Sequence, residues 1–173
     1  MLSEEGMLAS AGTISVVANA FRKYDFKYTV VDPVMVATSG ARLLPENAIK
    51  TMCDDLLPLT YLITPNIPEA NLILQESGQP AIDVKDLDGL KQLAHAVHRL
   101  GPRHVLIKGG HLPLDAHHNT AQFDSAKKIV ANVLYGEGVD EVIELPYQSS
   151  RNTHGTGCTL ACMQTSDKSC NRR

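Results

Sequence analysis

Three short runs limit what this chain can fold into: KYTVVDP at 27–33, YLITPN at 61–66 and HVLIKGG at 104–110. Each is a few apolar or β-branched residues stopped by proline or paired glycine, the pattern of a short strand with a sharp exit. The stretches between them have helical period. Residues 7–23 place Leu8, Ala11, Ile14, Ala18 and Phe21 on one face. Pro45 fits a first helical turn, ahead of an inner stripe of Ala48, Ile49, Met52 and Leu56. Pro68 suits another helix start, and residues 83–100 align Val84, Leu87, Leu90, Ala94 and Val97 before Gly101 stops them. KIVANVLYGEG and EVIELPY then read as an antiparallel pair of strands around a glycine-containing turn. Strands alternating with helices predict an α/β fold, with a mostly parallel sheet and helices on both faces.

At 173 residues the chain is one domain by length. Its net charge of −3 gives no basis for nucleic acid or an anionic membrane as partner. Any anion site must therefore be local. No apolar run approaches the ~18 residues of a membrane span. Cys53, Cys158, Cys162 and Cys170 form no C-x-x-C pair, and the polar, acidic start MLSEEG is unlike a basic transit peptide. Free thiols in a reducing cytosol are the expectation.

The strands end in groups that bind ions or phosphates: Asp32 after the first, Thr64 and Asn66 after the second, Lys108 after the third. Parallel strands bring such ends to one edge, where open α/β sheets bind ligands. Singly, each is ordinary turn chemistry; together, an acid, an amide and a lysine suit a metal–phosphate ligand. Asn66 and Glu69 flank the first turn of a helix, where they can hold magnesium through its waters. They can equally form a capping box, and both roles are compatible. Further on, Thr153-His154-Gly155-Thr156-Gly157-Cys158 has the makings of an anion-binding turn at a helix start. There Cys158 is either an inert small core residue or a thiol with a lowered pKa. His154 beside it either touches phosphate or packs the turn. Asp115, His117 and His118 read as a solvated loop rather than a metal site. His95 and His98 read as an exposed helix face, and Cys158 with Cys162 as consecutive helix turns without metal.

VVDPVMVATSG, LITPNIPEA, VLIKGGH and THGTGCTL, in this order, resemble the hydroxymethylpyrimidine/phosphomethylpyrimidine kinases of thiamine biosynthesis. These belong to the ribokinase-like superfamily and are close to pyridoxal kinases. The resemblance runs from Met1 to about Leu160, and the thiol in GTGC favours the pyrimidine kinases, since pyridoxal kinases usually show an aspartate there. It implies a three-layer αβα ribokinase-like fold and transfer of the ATP γ-phosphoryl group to hydroxymethylpyrimidine and then to its monophosphate. Mg2+ accompanies ATP, with no nucleic-acid or membrane partner, and a homo-oligomer is compatible. Residue by residue, it implies that Asn66 and Glu69 position magnesium and nucleotide phosphates, with Asp32 the acid near both. Lys108 would neutralise nucleotide phosphate. Gly155, Thr156 and Gly157 would form the anion hole, Cys158 would face the acceptor hydroxymethyl, and Val34 and Met1 would line the pyrimidine pocket.

The departures shape the expectation. Family members are longer at both ends, and nothing here resembles their glycine-rich pyrimidine-holding segment. Asn132 stands where an aspartate is usual. Residues 1–162 are thus expected to form a partial kinase domain with impaired activity, and 163–173 a divergent, disordered tail. The alternatives are a pyridoxal kinase-like enzyme and a non-catalytic remnant with weak nucleotide binding.

Overall fold

Among the described residues six strands join in one sheet in chain order: β1 (Leu2–Glu5), β2 (Tyr28–Val31), β3 (Leu62–Ile63), β4 (His104–Ile107), β5 (Ile129–Gly136) and β6 (Val139–Pro146). Pairing is parallel from β1 to β4 and antiparallel from β4 through β6. The computed structural model describes residues 2–5, 8, 10–24, 26–35, 43–110 and 112–148. The mostly parallel sheet and the antiparallel pair at its edge are as expected. β1 is not: the polar start of the chain pairs with β2 from Leu2↔Tyr28 to Glu5↔Val31.

The helices are α1 (Ala11–Tyr24), α2 (Glu46–Thr51), α3 (Ile67–Glu76) and α4 (Leu87–His98). Caps set their starts later than the apolar stripes suggest. The Ser10 hydroxyl accepts the Thr13 N–H (3.2 Å), and the Asp86 carboxylate accepts that of Gly89 (2.7 Å). Past Thr51 the helix widens into π-type turns over Met52–Leu56 and tightens at Leu57–Leu59. The stripe of Ala48, Ile49, Met52 and Leu56 stays buried throughout.

Strands laid down in sequential order by right-handed crossovers carry their helices on one face. The described helices pack accordingly: Ile14, Ala18, Ile49, Ile73 and Leu93 share a core with Val31, Ile63, Val105, Ile107 and Val133 of the sheet. The expected helical cover is therefore present on one face within the described residues. His95 and His98 correct an expectation. They are half-buried rather than exposed, because the last turns of α4 lie against β5, and both rings meet Tyr135, with centroids 3.9 and 5.1 Å away. No described helix is long and apolar enough to cross a membrane.

The C-terminal ends of β2, β3 and β4 are tied together by backbone. Thr64 N–H donates to Val31 C=O (3.0 Å), Lys108 N–H donates to Pro65 C=O (2.9 Å), and Asn66 bridges Lys108 in parallel. Just beyond, Gly109 N–H donates to Asn132 Oδ1 of β5 (3.0 Å). A β-carbon on Gly109 would collide with the Ala131 carbonyl oxygen. Glycine is thus required where this edge crosses close to β5. Gly109→Ala is expected to cost about 1–3 kcal/mol in urea denaturation, the range for overpacking. An unchanged midpoint would show that the two strands can part at no cost.

Candidate active site

Asp32 leaves β2 at the shared edge with its side chain only 4% exposed. A buried carboxylate needs partners, and two arrive at one oxygen. Lys108 Nζ, from the end of β4, lies 2.7 Å from Asp32 Oδ1. The Thr64 hydroxyl, from the end of β3, donates to the same atom at 2.9 Å. Lys108 keeps some contact with solvent, its side chain 18% exposed. Val34 follows in the turn after Asp32, its N–H donating to the Asp32 C=O (2.9 Å).

Asn66 begins α3 in the predicted capping box. Its side chain accepts the Glu69 N–H, and its own N–H donates to Glu69 Oε2, both at 2.8 Å. The box holds the Glu69 carboxylate at the open end of the helix, where the backbone dipole favours negative charge. Glu69 is nonetheless buried, 3% exposed. Burial pushes its carboxyl pKa up, and the charge of Asp32 acts in the same direction. The N–H groups of Asn66 and Met35 and the charge of Lys108 oppose that rise.

The structure therefore brings Asp32, Thr64, Asn66, Glu69 and Lys108 to one rim, with Val34 beside them. Met1, His154, Gly155, Thr156, Gly157, Cys158, Cys162 and the tail at 163–173 lie outside the described residues. The histidine loop is a folded turn. Asp115 accepts the N–H groups of His117 and Asn119, and His118 pairs with Glu144 at 2.7 Å. Among the described residues no three His, Cys, Asp or Glu side chains cluster as a metal cage. The rim fits a different kind of ion. Two neighbouring carboxylates supply hard oxygen donors, and magnesium typically takes one or two of these together with phosphate oxygens and water.

Sequence reasoning missed two supports of this site. The Met35 N–H reaches Glu69, and Asn132 anchors Gly109 directly after Lys108. No sequence signal marks the first. The second lay half-visible in Asn132 as a departure from the family pattern.

Because the folded-state pKa of Glu69 lies above that of the unfolded chain, folding favours its protonated form. Its contribution to stability is greatest below the ordinary value of 4.5 and declines as pH rises through the window up to the folded value. Glu69→Gln keeps an acceptor for the Asn66 N–H and removes the titration. The variant is expected to melt higher than the wild type at neutral pH, with the difference vanishing at acidic pH. Melting curves that run parallel across this range would refute the assignment.

The profile of the phosphomethylpyrimidine kinase family matches residues 4–171. The hydroxymethylpyrimidine/phosphomethylpyrimidine kinase of Bacillus subtilis is 36% identical over 160 residues, covering 92% of this chain and 52% of that protein. Among solved structures, the phosphomethylpyrimidine kinase of Clostridium difficile superposes with a TM-score of 0.70 at 30% identity, over 99% of this chain and 60% of that one. An ADP complex of Bacillus subtilis pyridoxal kinase gives 0.74 at 28% identity, over 95% and 55%. The chain spans about half the length of the bacterial kinases it matches, and little more than a quarter of the kinase of Schizosaccharomyces pombe and of the bifunctional thiamine enzymes. The architecture is the ribokinase-like αβα fold with a mostly parallel central sheet. With the family profile matched over nearly the whole sequence, the chain belongs to the phosphomethylpyrimidine kinase family.

Proposed function

We propose that this chain transfers the γ-phosphoryl group of ATP to the hydroxymethyl group of hydroxymethylpyrimidine, and then to the resulting monophosphate, in thiamine biosynthesis. The observation that carries this reading is the convergence of Lys108 and Thr64 on Asp32 beside the Asn66–Glu69 helix start. A lysine that retains solvent contact beside a buried carboxylate is placed to take up a phosphate oxygen. Asp32 and Glu69 are the residues that would hold Mg2+, whose chemistry is to neutralise phosphate charge during transfer. The reading is favoured further by the family match and by relatives named as hydroxymethylpyrimidine/phosphomethylpyrimidine kinases.

In the transfer itself the acceptor oxygen bonds to the γ-phosphorus, the bond to the β,γ-bridging oxygen breaks, and ADP leaves. Little covalent chemistry falls to the protein, so positioning and charge stabilisation dominate. Gly155, Thr156 and Gly157 supply the anion hole in this reading, and Cys158 faces the acceptor hydroxyl and, as a thiolate, receives its proton. Val34 and Met1 line the pyrimidine. Small soluble substrates suit a cytosolic setting.

Calorimetric titration with Mg-ATP, run beside a coupled kinase assay, tests the proposal. Binding is expected to weaken at least about tenfold in Glu69→Gln, the scale of one charge-assisted interaction. Cys158→Ala is expected to bind as the wild type does and to lose turnover. A folded sample that ignores Mg-ATP would sink the nucleotide site, and pyridoxal consumed faster than hydroxymethylpyrimidine would reassign the acceptor.

A further inference from the structure

Three threonines are buried among the described residues, and they spend their hydroxyls differently. Thr29 donates to the Leu59 carbonyl and Thr60 to the Leu56 carbonyl, both at 2.9 Å. These are backbone repairs where strands and turns leave carbonyls short of donors. Thr64, 1% exposed, donates instead to a carboxylate, Asp32 Oδ1. Its backbone leaves little choice of direction, because the Thr64 N–H is already committed to Val31 C=O on the neighbouring strand.

Asp32 Oδ1 thus has two donors of different character. Lys108 approaches on a long side chain with some solvent contact, whereas Thr64 is short, buried and rigid. A phosphate entering the rim competes with Asp32 for Lys108. Once the lysine turns to the phosphate, Thr64 still donates to the carboxylate.

We propose that Thr64 is a positioning residue for Asp32: its hydroxyl pins Oδ1, so that the carboxylate keeps its orientation at the rim when Lys108 transfers to an incoming phosphate. This deepens the kinase reading above and rests on it for the identity of the ligand. In this role Thr64 acts through Asp32.

Thr64→Val replaces the hydroxyl with a methyl group at nearly constant volume, and Thr64→Ser keeps the hydroxyl while losing the methyl. Crystal structures of the ligand-free variants in a Lys108→Met background, which removes the competing donor as an incoming phosphate would, and Mg-ATP titrations of the variants with Lys108 intact are the two measurements. In the Val variant the Asp32 carboxylate is expected to rotate away from its wild-type position, and Mg-ATP affinity to fall about tenfold, in keeping with a lost hydrogen bond to a charged group. The Ser variant is expected to keep the Asp32 position and bind within about twofold of the wild type. An unmoved Asp32 in the Val structure would overturn the proposal, as would equal weakening in Val and Ser. Should the Val variant fail to fold, Thr64→Ala against Thr64→Ser isolates the same hydroxyl. If the wild type binds no Mg-ATP, the kinase reading falls while the Asp32 conformation still decides the role of Thr64.

Discussion

The Asp32–Lys108 ion pair joins the end of β2 to the end of β4 across β3, between residues 76 apart in sequence. Everything proposed for the rim depends on these strand ends standing side by side. A buried ion pair is weak evidence for stability, since well-packed apolar residues often serve as well. Losing one partner is another matter, because it strands the other charge in a medium that solvates it poorly. The pair is thus costly to keep and costly to break. A site that exchanges one counter-ion for another explains this better than a fold seeking stability.

The local charge balance argues the same way. Among the described residues two carboxylates, Asp32 and Glu69, face a single lysine, and burial already pushes the Glu69 carboxyl towards its protonated form. Such a site is uncomfortable when empty, and a polyphosphate alone would make it worse. In the proposed reading, phosphate together with a divalent cation would relieve it, Lys108 taking the anion and the carboxylates holding the cation. The capping box contributes by fixing one of those carboxylates without using a side chain from another element.

Most of the fold was legible because strand and helix differ in hydrophobic period, and the strands between 28 and 107 are short, β-branched and sharply ended. What escaped has physical reasons. β1 pairs by backbone, and a sequence as polar as LSEE shows no apolar alternation to announce it. The helix starts were drawn too early because Leu8 and Val84 pack on the core from outside any helix, while Ser10 and Asp86 decide where helical bonding begins. His95 and His98 look polar in a helical wheel, yet Tyr135 of β5 covers them, a contact that only the sheet order creates.

The rim residues were legible for a stronger reason. In a parallel sheet, being last in a strand is a position in space, so Asp32, Asn66 and Lys108 could be placed on one edge from sequence alone. Their pairings could not, because they depend on long-range register. Thr64 was visible as a donor at a strand end, but nothing local shows that its hydroxyl meets the same oxygen as Lys108. Gly109 was legible as a strand exit, yet its requirement comes from the backbone of Ala131 pressing against it on β5. Asn132 completes that contact by accepting the Gly109 N–H, so the turn that aims Lys108 is held from the antiparallel strand. An aspartate could accept the same hydrogen bond, but it would add a third negative charge near the lysine. The neutral amide holds the turn and leaves Lys108 to Asp32 and, in the proposed reading, to a phosphate.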